Sequence, residues 1–140
     1  MLKRIATASI ILTLVAAGAA FAATQTGTKV TLHSTNKGKV LATSAGRTLY
    51  LYTPDSKNHS VCYGSCAQLW PPLLTTAKPI AGLGVRRLLL GTTRRNNGKL
   101  QVTYNGHPLY RYVGDSAAGQ ANGENYGGIW FVLTAAGKQK

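Results

Sequence analysis

Short stretches in which apolar and polar residues alternate, each bounded by turn residues, make up most of the chain. In residues 48–53, Leu49 and Leu51 point to one side of an extended backbone while Tyr50 and Tyr52 point to the other. Glycine, asparagine and proline lie between these stretches, as they do between the strands of an antiparallel meander. The pattern predicts strands at residues 29–34, 39–43, 48–53, 85–93, 100–104, 108–113 and 129–133.

The same pattern occurs twice, sixty residues apart. Residues 36–78 and 96–138 share thirteen identical positions without an insertion or deletion. A fixed period indicates that each copy is a supersecondary unit that cannot bury its apolar face alone. We therefore predict a mainly β fold: two pseudo-symmetric three-stranded β-meander repeats, at residues 29–78 and 85–138, pack as one small domain spanning residues 29–140.

The two copies differ after the meander. Residues 60–69 predict a short helix with Ser60 as N-cap, whereas residues 117–128 form a glycine- and asparagine-rich loop. Cys62 and Cys66 are four apart, which on a helical turn places their Cα atoms about 6 Å from each other. Because two cysteines in an exported chain normally pair, we predict one disulfide that pins this turn.

The N-terminus is typical of an export signal. A short basic start precedes an apolar, alanine-rich stretch over residues 5–21, and residues 20–22 (Ala-Phe-Ala) fit a small-x-small cleavage site. The alternative, an uncleaved membrane anchor, requires a longer densely apolar span. We predict a cleaved signal peptide at residues 1–22, a flexible leader at residues 23–28, and a periplasmic or secreted mature protein without a transmembrane segment.

The chain is strongly basic. It contains sixteen lysines and arginines but only three acidic residues, which gives a formal net charge of +13. Such a surface binds polyanions non-specifically, and the expected partners are anionic envelope polymers or lipids. The cations are scattered apart from the pairs Arg86-Arg87 and Arg94-Arg95, so no sequence-specific nucleic-acid arm is predicted. An alternative is adaptation to an acidic or ion-rich medium, in which acidic residues are simply scarce.

Asp55 and Asp115 occupy equivalent positions in the two copies. Pseudo-twofold symmetry could bring them together as a metal site or as the acid/base pair of a hydrolase. Alternatively, each carboxylate accepts backbone N–H groups in an Asx-turn where its strand ends. The placement is the same in both copies, and a scaffold role must be filled in each copy, so the sequence favours the structural role.

Aromatic residues also repeat. They could form a binding platform for sugars or aromatic ligands, but on a strand face they more often lie in the core or at its rim. We predict core packing, with the tryptophans at equivalent positions. The residues concerned are Tyr50, Tyr52, Tyr110, Tyr112, Trp70 and Trp130.

His59, Cys62 and Cys66 form the alternative to the disulfide, a soft-metal or redox site. A fourth ligand is not evident, because His33 and His107 are distant in sequence. The chain contains no Cys-x-x-Cys redox motif, phosphate loop or dinucleotide fingerprint. We therefore predict no cofactor and a non-catalytic role, with a metal-binding or redox protein as the alternative.

Three motifs together resemble a known family. They are the Tyr-x4-Asp motif at residues 50–55 and 110–115, residues 62–73 (CYGSCAQLWPPL) and residues 101–110 (QVTYNGHPLY). They are similar to those of the bacterial secreted repeat of unknown function, whose members are often labelled predicted lipoproteins. The resemblance covers residues 36–134 and implies an exported two-copy protein, but no particular activity. This chain departs from the lipoprotein members because it has no cysteine at the cleavage point.

Overall fold

The structure is a computed structural model that describes residues 13–21, 24 and 26–140. Most of the predicted signal peptide and the predicted cleavage point after residue 22 lie outside the described residues. Among the residues described, no helix is long and apolar enough to cross a membrane.

Between residues 26 and 140 the chain forms nine short strands, one α-helix and one 3-10 turn, which confirms the prediction of a mainly β fold with one short helix. In chain order the elements are β1 (Lys29–Thr35), β2 (Gly38–Thr43), β3 (Tyr50–Tyr52), α1 (Ser65–Leu69), β4 (Leu74–Thr75), β5 (Ile80–Ala81), the 3-10 turn (Arg87–Leu89), β6 (Leu90–Arg94), β7 (Leu100–Tyr104), β8 (His107–Pro108) and β9 (Trp130–Val132).

The strands form three small sheets, and two of them contain strands of both copies. The first sheet has the order β2-β1-β5. In the second copy β6, β7 and β8 follow one another as an antiparallel meander, and β4 of the first copy pairs with β7 on the side opposite β6. After a single bridge between Ala42 and Thr48, β3 leaves the first copy and pairs with β9 of the second copy. Tyr50 and Leu51 are both buried, so both faces of β3 are covered, and the residues that cover them come from both copies.

The two hairpin loops of the second copy differ in length. The Asn97-Gly98 pair predicts a two-residue loop, but only Gly98 has a positive φ, whereas that turn requires it of both residues. The loop instead spans three residues, closed by a hydrogen bond from the Arg95 N–H to the Lys99 carbonyl. The two-residue loop lies at Asn105 and Gly106, where both φ angles are positive.

The helix is shorter than its sequence predicts. It begins at Ser65, after Gly64, so Ser60 is not its N-cap and the prediction of a helix over residues 60–69 is wrong at its start. The Ser60 hydroxyl instead takes part in a buried hydrogen-bond network described below. The predicted disulfide is confirmed, since the sulfur atoms of Cys62 and Cys66 are 2.05 Å apart and their Cα atoms 5.3 Å apart.

The core has two parts. The first is largely aliphatic and is formed by Val30, Leu41, Leu49, Leu51, Leu73, Val85, Val102, Tyr104, Leu109 and Leu133. The second contains the repeated aromatic residues and is formed by Val40, Tyr50, Cys62, Trp70, Tyr110, Ala121, Trp130 and Val132. Each part draws on both copies, so neither copy buries its apolar face without the other.

Candidate functional site

The two copies meet at Tyr50 and Tyr110. The N–H of Tyr50 donates to the carbonyl of Tyr110 at 2.9 Å, and the N–H of Tyr110 donates to the carbonyl of Tyr50 at 3.0 Å. Next to this pair, Tyr50 lies opposite Val132, and Tyr110 lies opposite Pro72, which is sixty residues before Val132. A pseudo-twofold axis therefore passes between the two tyrosines.

Four aromatic rings stack across the same axis. The rings of Trp70 and Trp130 lie 3.9 Å apart at an interplanar angle of 4°. Tyr52 stacks on the outer side of Trp130, and Tyr112 stacks on the outer side of Trp70, each at 4.2 Å. Each tyrosine thus covers the tryptophan of the other copy, and the tryptophans are only 2% and 3% exposed. The stack is an interior feature that joins the copies.

Tyr50 and Tyr110 meet the stack edge-on. The ring of Tyr50 is 5.3 Å from that of Trp70, and the ring of Tyr110 is 5.1 Å from that of Trp130. Edge-to-face and offset-stacked pairs each contribute about 0.5–1.5 kcal/mol beyond their buried area. Because Tyr50 and Tyr110 are fully buried, they cannot serve as an open platform for sugars or aromatic ligands.

Each tyrosine hydroxyl binds the aspartate of the other copy. The Tyr50 hydroxyl donates to Asp115 Oδ2 at 2.6 Å, and the Tyr110 hydroxyl donates to Asp55 Oδ2 at 2.7 Å. We call these two hydrogen bonds the crossed Tyr–Asp pairs. The Tyr-x4-Asp motif therefore does not form a contact within one copy, because its two residues face different partners across the pseudo-twofold axis.

The second oxygen of each aspartate anchors the segment that follows its strand. Asp55 Oδ1 accepts the N–H of Val61 at 2.8 Å, and Asp115 Oδ1 accepts the N–H of Asn122 at 2.9 Å. The structure therefore gives each carboxylate a backbone donor, six or seven residues further along the chain. An Asx-turn, which the sequence favours, would use a donor only two residues away.

Burial shifts the pKa values of Tyr50, Tyr110 and Asp55. Desolvation, together with the neighbouring Asp115, raises the pKa of Tyr50 far above its usual value near 10. Desolvation likewise raises the pKa of Tyr110, with a further contribution from Asp55. Burial also raises the pKa of Asp55, and the hydrogen bonds from Tyr110 and from the Val61 N–H partly oppose that rise. Both phenols are therefore protonated donors over the whole physiological pH range.

Close to this interface, Gly123 allows the backbone to approach the stack. A Cβ at this position would lie 2.7 Å from a ring carbon of Trp70 and 2.9 Å from one of Tyr50. The N–H of Gly123 donates to the Tyr50 hydroxyl at 3.2 Å. The loop at residues 117–128 therefore packs directly on the central aromatic rings.

Arg95 is a buried cation near one of the crossed Tyr–Asp pairs. It is 5% exposed, and its guanidinium donates to Ser60 Oγ at 2.9 Å, to Gln101 Oε1 at 2.8 Å and to the Cys62 carbonyl at 2.7 Å. Its Cζ also lies 4.3 Å above the ring of Tyr63. The Arg95 side chain thus fixes the disulfide loop to the second copy.

This network has no equivalent on the other side of the axis. Ser60 Oγ is 2.7 Å from the Tyr110 hydroxyl, so the hydrogen bonds continue from Arg95 to Tyr110 and Asp55. The residue sixty positions before Arg95 is Thr35. The sequence places Arg95 only in a basic pair, and the mismatch with Thr35 is the signal that could have marked it.

The metal candidates are not assembled into a site. Cys62 and Cys66 are joined in the disulfide, so neither presents a thiolate ligand, and His59 is exposed. In the described part of the chain, no group of three or more histidine, cysteine, aspartate or glutamate residues is arranged to hold a metal ion.

His107 and its counterpart Arg47 flank the site. His107 follows the Asn105-Gly106 turn, a position that predicts an exposed hairpin tip, but it is half-buried at the start of β8, and burial lowers its pKa. Arg47 donates to the Asp115 carbonyl at 2.7 Å. Together with Arg111 and Tyr112, Arg47 lines a cleft of about 260 Å³ at the edge of the aromatic cluster.

The sequence matches the model of one family twice, over residues 31–74 and 91–134, and that family is described as a secreted repeat of unknown function. The chain belongs to this family. The two matches confirm the tandem repeat, and membership supports an exported protein. No curated protein and no solved structure matched the chain significantly.

The secreted repeat contains every residue of the central interface. The crossed Tyr–Asp pairs and all four stacked rings lie within the two matched ranges. Residues 75–90, which connect the two ranges, lie outside them. The residues that join the two copies therefore belong to the family repeat. Features specific to this chain should lie where the two copies differ in sequence or in the connector at residues 75–90.

Proposed function

We propose that the protein is an exported, non-catalytic module of the envelope or extracellular space whose basic surface contacts anionic components. The observation that supports this proposal most directly is the use of the three carboxylates. Asp55 and Asp115 are bonded to tyrosine hydroxyls and backbone N–H groups, and Glu124 accepts the N–H of Val132 at 2.7 Å.

The acidic side chains therefore bind groups within the fold, and the lysines and arginines outnumber them sixteen to three. Exposed lysines and arginines occur on both copies and on the connector between them, among them Lys29, Lys57, Arg86, Arg111 and Lys138. A protein with so few free carboxylates carries a positive potential over most of its surface, which attracts polyanions. The partner classes are anionic lipids and anionic envelope polymers.

A non-catalytic role agrees with the state of the best catalytic candidates. Each aspartate accepts hydrogen bonds at both of its oxygens, and each partner tyrosine has a raised pKa. A general acid or base must reach the proton it transfers from a position open to substrate. These tyrosines and aspartates instead hold the two copies together. We also propose that the protein is located in the periplasm or outside the cell.

The test is binding of the exported protein to vesicles containing phosphatidylglycerol, to lipopolysaccharide and to teichoic acid over a range of salt. We expect binding at low ionic strength that weakens steeply as the Debye length falls below about 10 Å. Replacing Lys29, Lys57 and Lys78 by glutamine should weaken binding, whereas replacing them by arginine should not. Absence of binding to all of these polyanions at low salt would refute the proposal.

A further inference from the structure

One surface feature lies outside the family repeat. Residues 82–89, here called the leucine loop, connect β5 to β6 between the two matched ranges. Leu83 is 98% exposed and Leu88 is 93% exposed. Single exposed apolar residues are ordinary on protein surfaces, but two almost fully exposed leucines on one short connector leave apolar area that a partner would cover.

The leucine loop is held by the fold. The Val85 side chain is buried, and its N–H donates to the Gly82 carbonyl at 3.1 Å. The Leu89 N–H donates to the Arg86 carbonyl at 3.0 Å, and the Arg86 N–H donates to the hydroxyl of Tyr104, which is itself fully buried, at 2.9 Å. Because the backbone is already ordered, presenting the leucines to a partner costs little conformational entropy.

Cations lie close to the exposed leucines in sequence, and one lies beside Leu88 in space. Arg86 and Arg87 lie between them in sequence and are both exposed. Lys57 lines a shallow depression of about 280 Å³ together with Leu88. Apolar side chains flanked by arginine and lysine are the combination that binds the boundary between lipid headgroups and acyl chains when the headgroups are anionic.

We propose that the leucine loop docks the protein on an anionic lipid surface, with Leu83 and Leu88 entering the headgroup–acyl boundary and Arg86, Arg87 and Lys57 contacting lipid phosphates. This inference rests on the proposed function and names its partner and its site. An anionic polymer would satisfy the cations but leave the leucines in water. A second copy of the chain would cover the leucines but bring like charges together.

The first test compares apolar variants. The exported protein, with its N-terminus determined by mass so that all variants have the same leader, is titrated with vesicles of phosphatidylglycerol in phosphatidylcholine and of phosphatidylcholine alone. We expect L83Q/L88Q to weaken binding to the anionic vesicles about tenfold or more. The matched control L69Q/V113Q removes two partly exposed apolar side chains elsewhere and should leave affinity unchanged.

The second test separates local from overall charge. R86Q/R87Q should weaken binding at low salt about tenfold, since each cation near an anionic surface contributes to attraction. K37Q/K39Q removes the same charge from the β1–β2 hairpin and should have a clearly smaller effect. In L83W, the new indole should shift to the blue on vesicles and be quenched by brominated lipids, because the native Trp70 and Trp130 are buried.

The outcomes distinguish this inference from the proposed function. Salt-dependent vesicle binding that L83Q/L88Q leaves unchanged would refute the inference alone, and so would binding to teichoic acid without binding to vesicles. A dimer that dissociates in L83Q/L88Q would assign the leucine loop to a second copy and overturn the inference. Failure to bind any polyanion would refute both. Circular dichroism shows that each variant is folded before it is compared.

Discussion

The Tyr50 hydroxyl lies 2.6 Å from Asp115 Oδ2, although the two residues are sixty-five positions apart and belong to different copies of the repeat. The reciprocal bond joins Tyr110 to Asp55 at 2.7 Å. The two residues of the Tyr-x4-Asp motif are close in sequence, but each forms its hydrogen bond with the other copy. Each copy contributes one phenol and one carboxylate, so neither copy alone satisfies its own polar groups.

Removing one hydroxyl should leave a carboxylate without its buried donor. We expect Tyr50→Phe and Tyr110→Phe each to lower the free energy of unfolding by about 1–3 kcal/mol, the usual cost of leaving a buried polar group unsatisfied. Chemical denaturation followed by circular dichroism measures this. Tyr126→Phe is the control, since that ring is 46% exposed. Equal stability of all three variants would contradict the structural role of the crossed Tyr–Asp pairs.

A double-mutant cycle tests the crossed connectivity itself. Tyr50→Phe combined with Asp115→Asn should show a coupling energy of about 0.5–3 kcal/mol, as is found for residues in direct contact. Tyr50→Phe combined with Asp55→Asn, which joins residues of the same motif, should be close to additive. Coupling of similar size in both cycles would contradict the finding that Tyr50 pairs with Asp115 of the other copy and not with Asp55 of its own.

The raised tyrosine pKa values predict a stability that falls at alkaline pH. A folded-state pKa above the unfolded value near 10 means that the folded protein holds its phenolic protons longer, so their stabilising contribution is complete below about pH 10 and is lost as the pH rises above it. Unfolding free energies across this range should therefore decline. The decline should be smaller in Tyr50→Phe and in Tyr110→Phe than in the wild type. If both variants decline as much as the wild type, these two tyrosines are not the source of the alkaline pH dependence.

Most local features of the fold can be predicted from the sequence, apart from the start of α1 and the length of the loop at Asn97-Gly98. Alternation, glycine turns and the sixty-residue period predict most of the strands and the two copies, because each depends on residues close together in the chain. The strand predicted at residues 85–93 is wrong in its first half, where a 3-10 turn (Arg87–Leu89) precedes β6. The Cys62–Cys66 disulfide belongs to the same class, as it closes a single turn. What lay beyond the sequence was how the copies join, since identical motifs can pair within a copy or between copies with equal local propensity.

The contacts of Arg95 also could not be predicted from the sequence. Its partners, Ser60, Cys62 and Gln101, approach from two segments of the chain, and none of them occupies a position shared by both copies. The predicted start of α1 is wrong for a related reason. Serine is a preferred N-cap residue, but the Ser60 hydroxyl is hydrogen-bonded to Arg95 and Tyr110, and these tertiary contacts override the local preference.

Arg95 should matter far more to stability than its neighbour Arg94. Arg95→Met would leave the Gln101 side chain and the Cys62 carbonyl without their donor, and we expect a loss of about 2–4 kcal/mol. Arg95→Lys should recover only part of this, because an ammonium group cannot reproduce the forked contacts. Arg94→Met is the matched control on an exposed site. A loss no larger than that of Arg94→Met would show that the network does not stabilise the fold.

Opening the disulfide should loosen one loop and leave the interface between the copies intact. The ring that it closes is short, so its contribution through chain entropy is only about 2 kcal/mol. Cys62→Ala/Cys66→Ala should therefore speed amide exchange around residues 60–69, while the near-ultraviolet signal of the stacked Trp70 and Trp130 persists, since that stack is held by tyrosines of both copies. Reductant should have the same effect on the wild type and none on the variant. Loss of the aromatic signal on reduction would instead make the disulfide loop a requirement for joining the two copies.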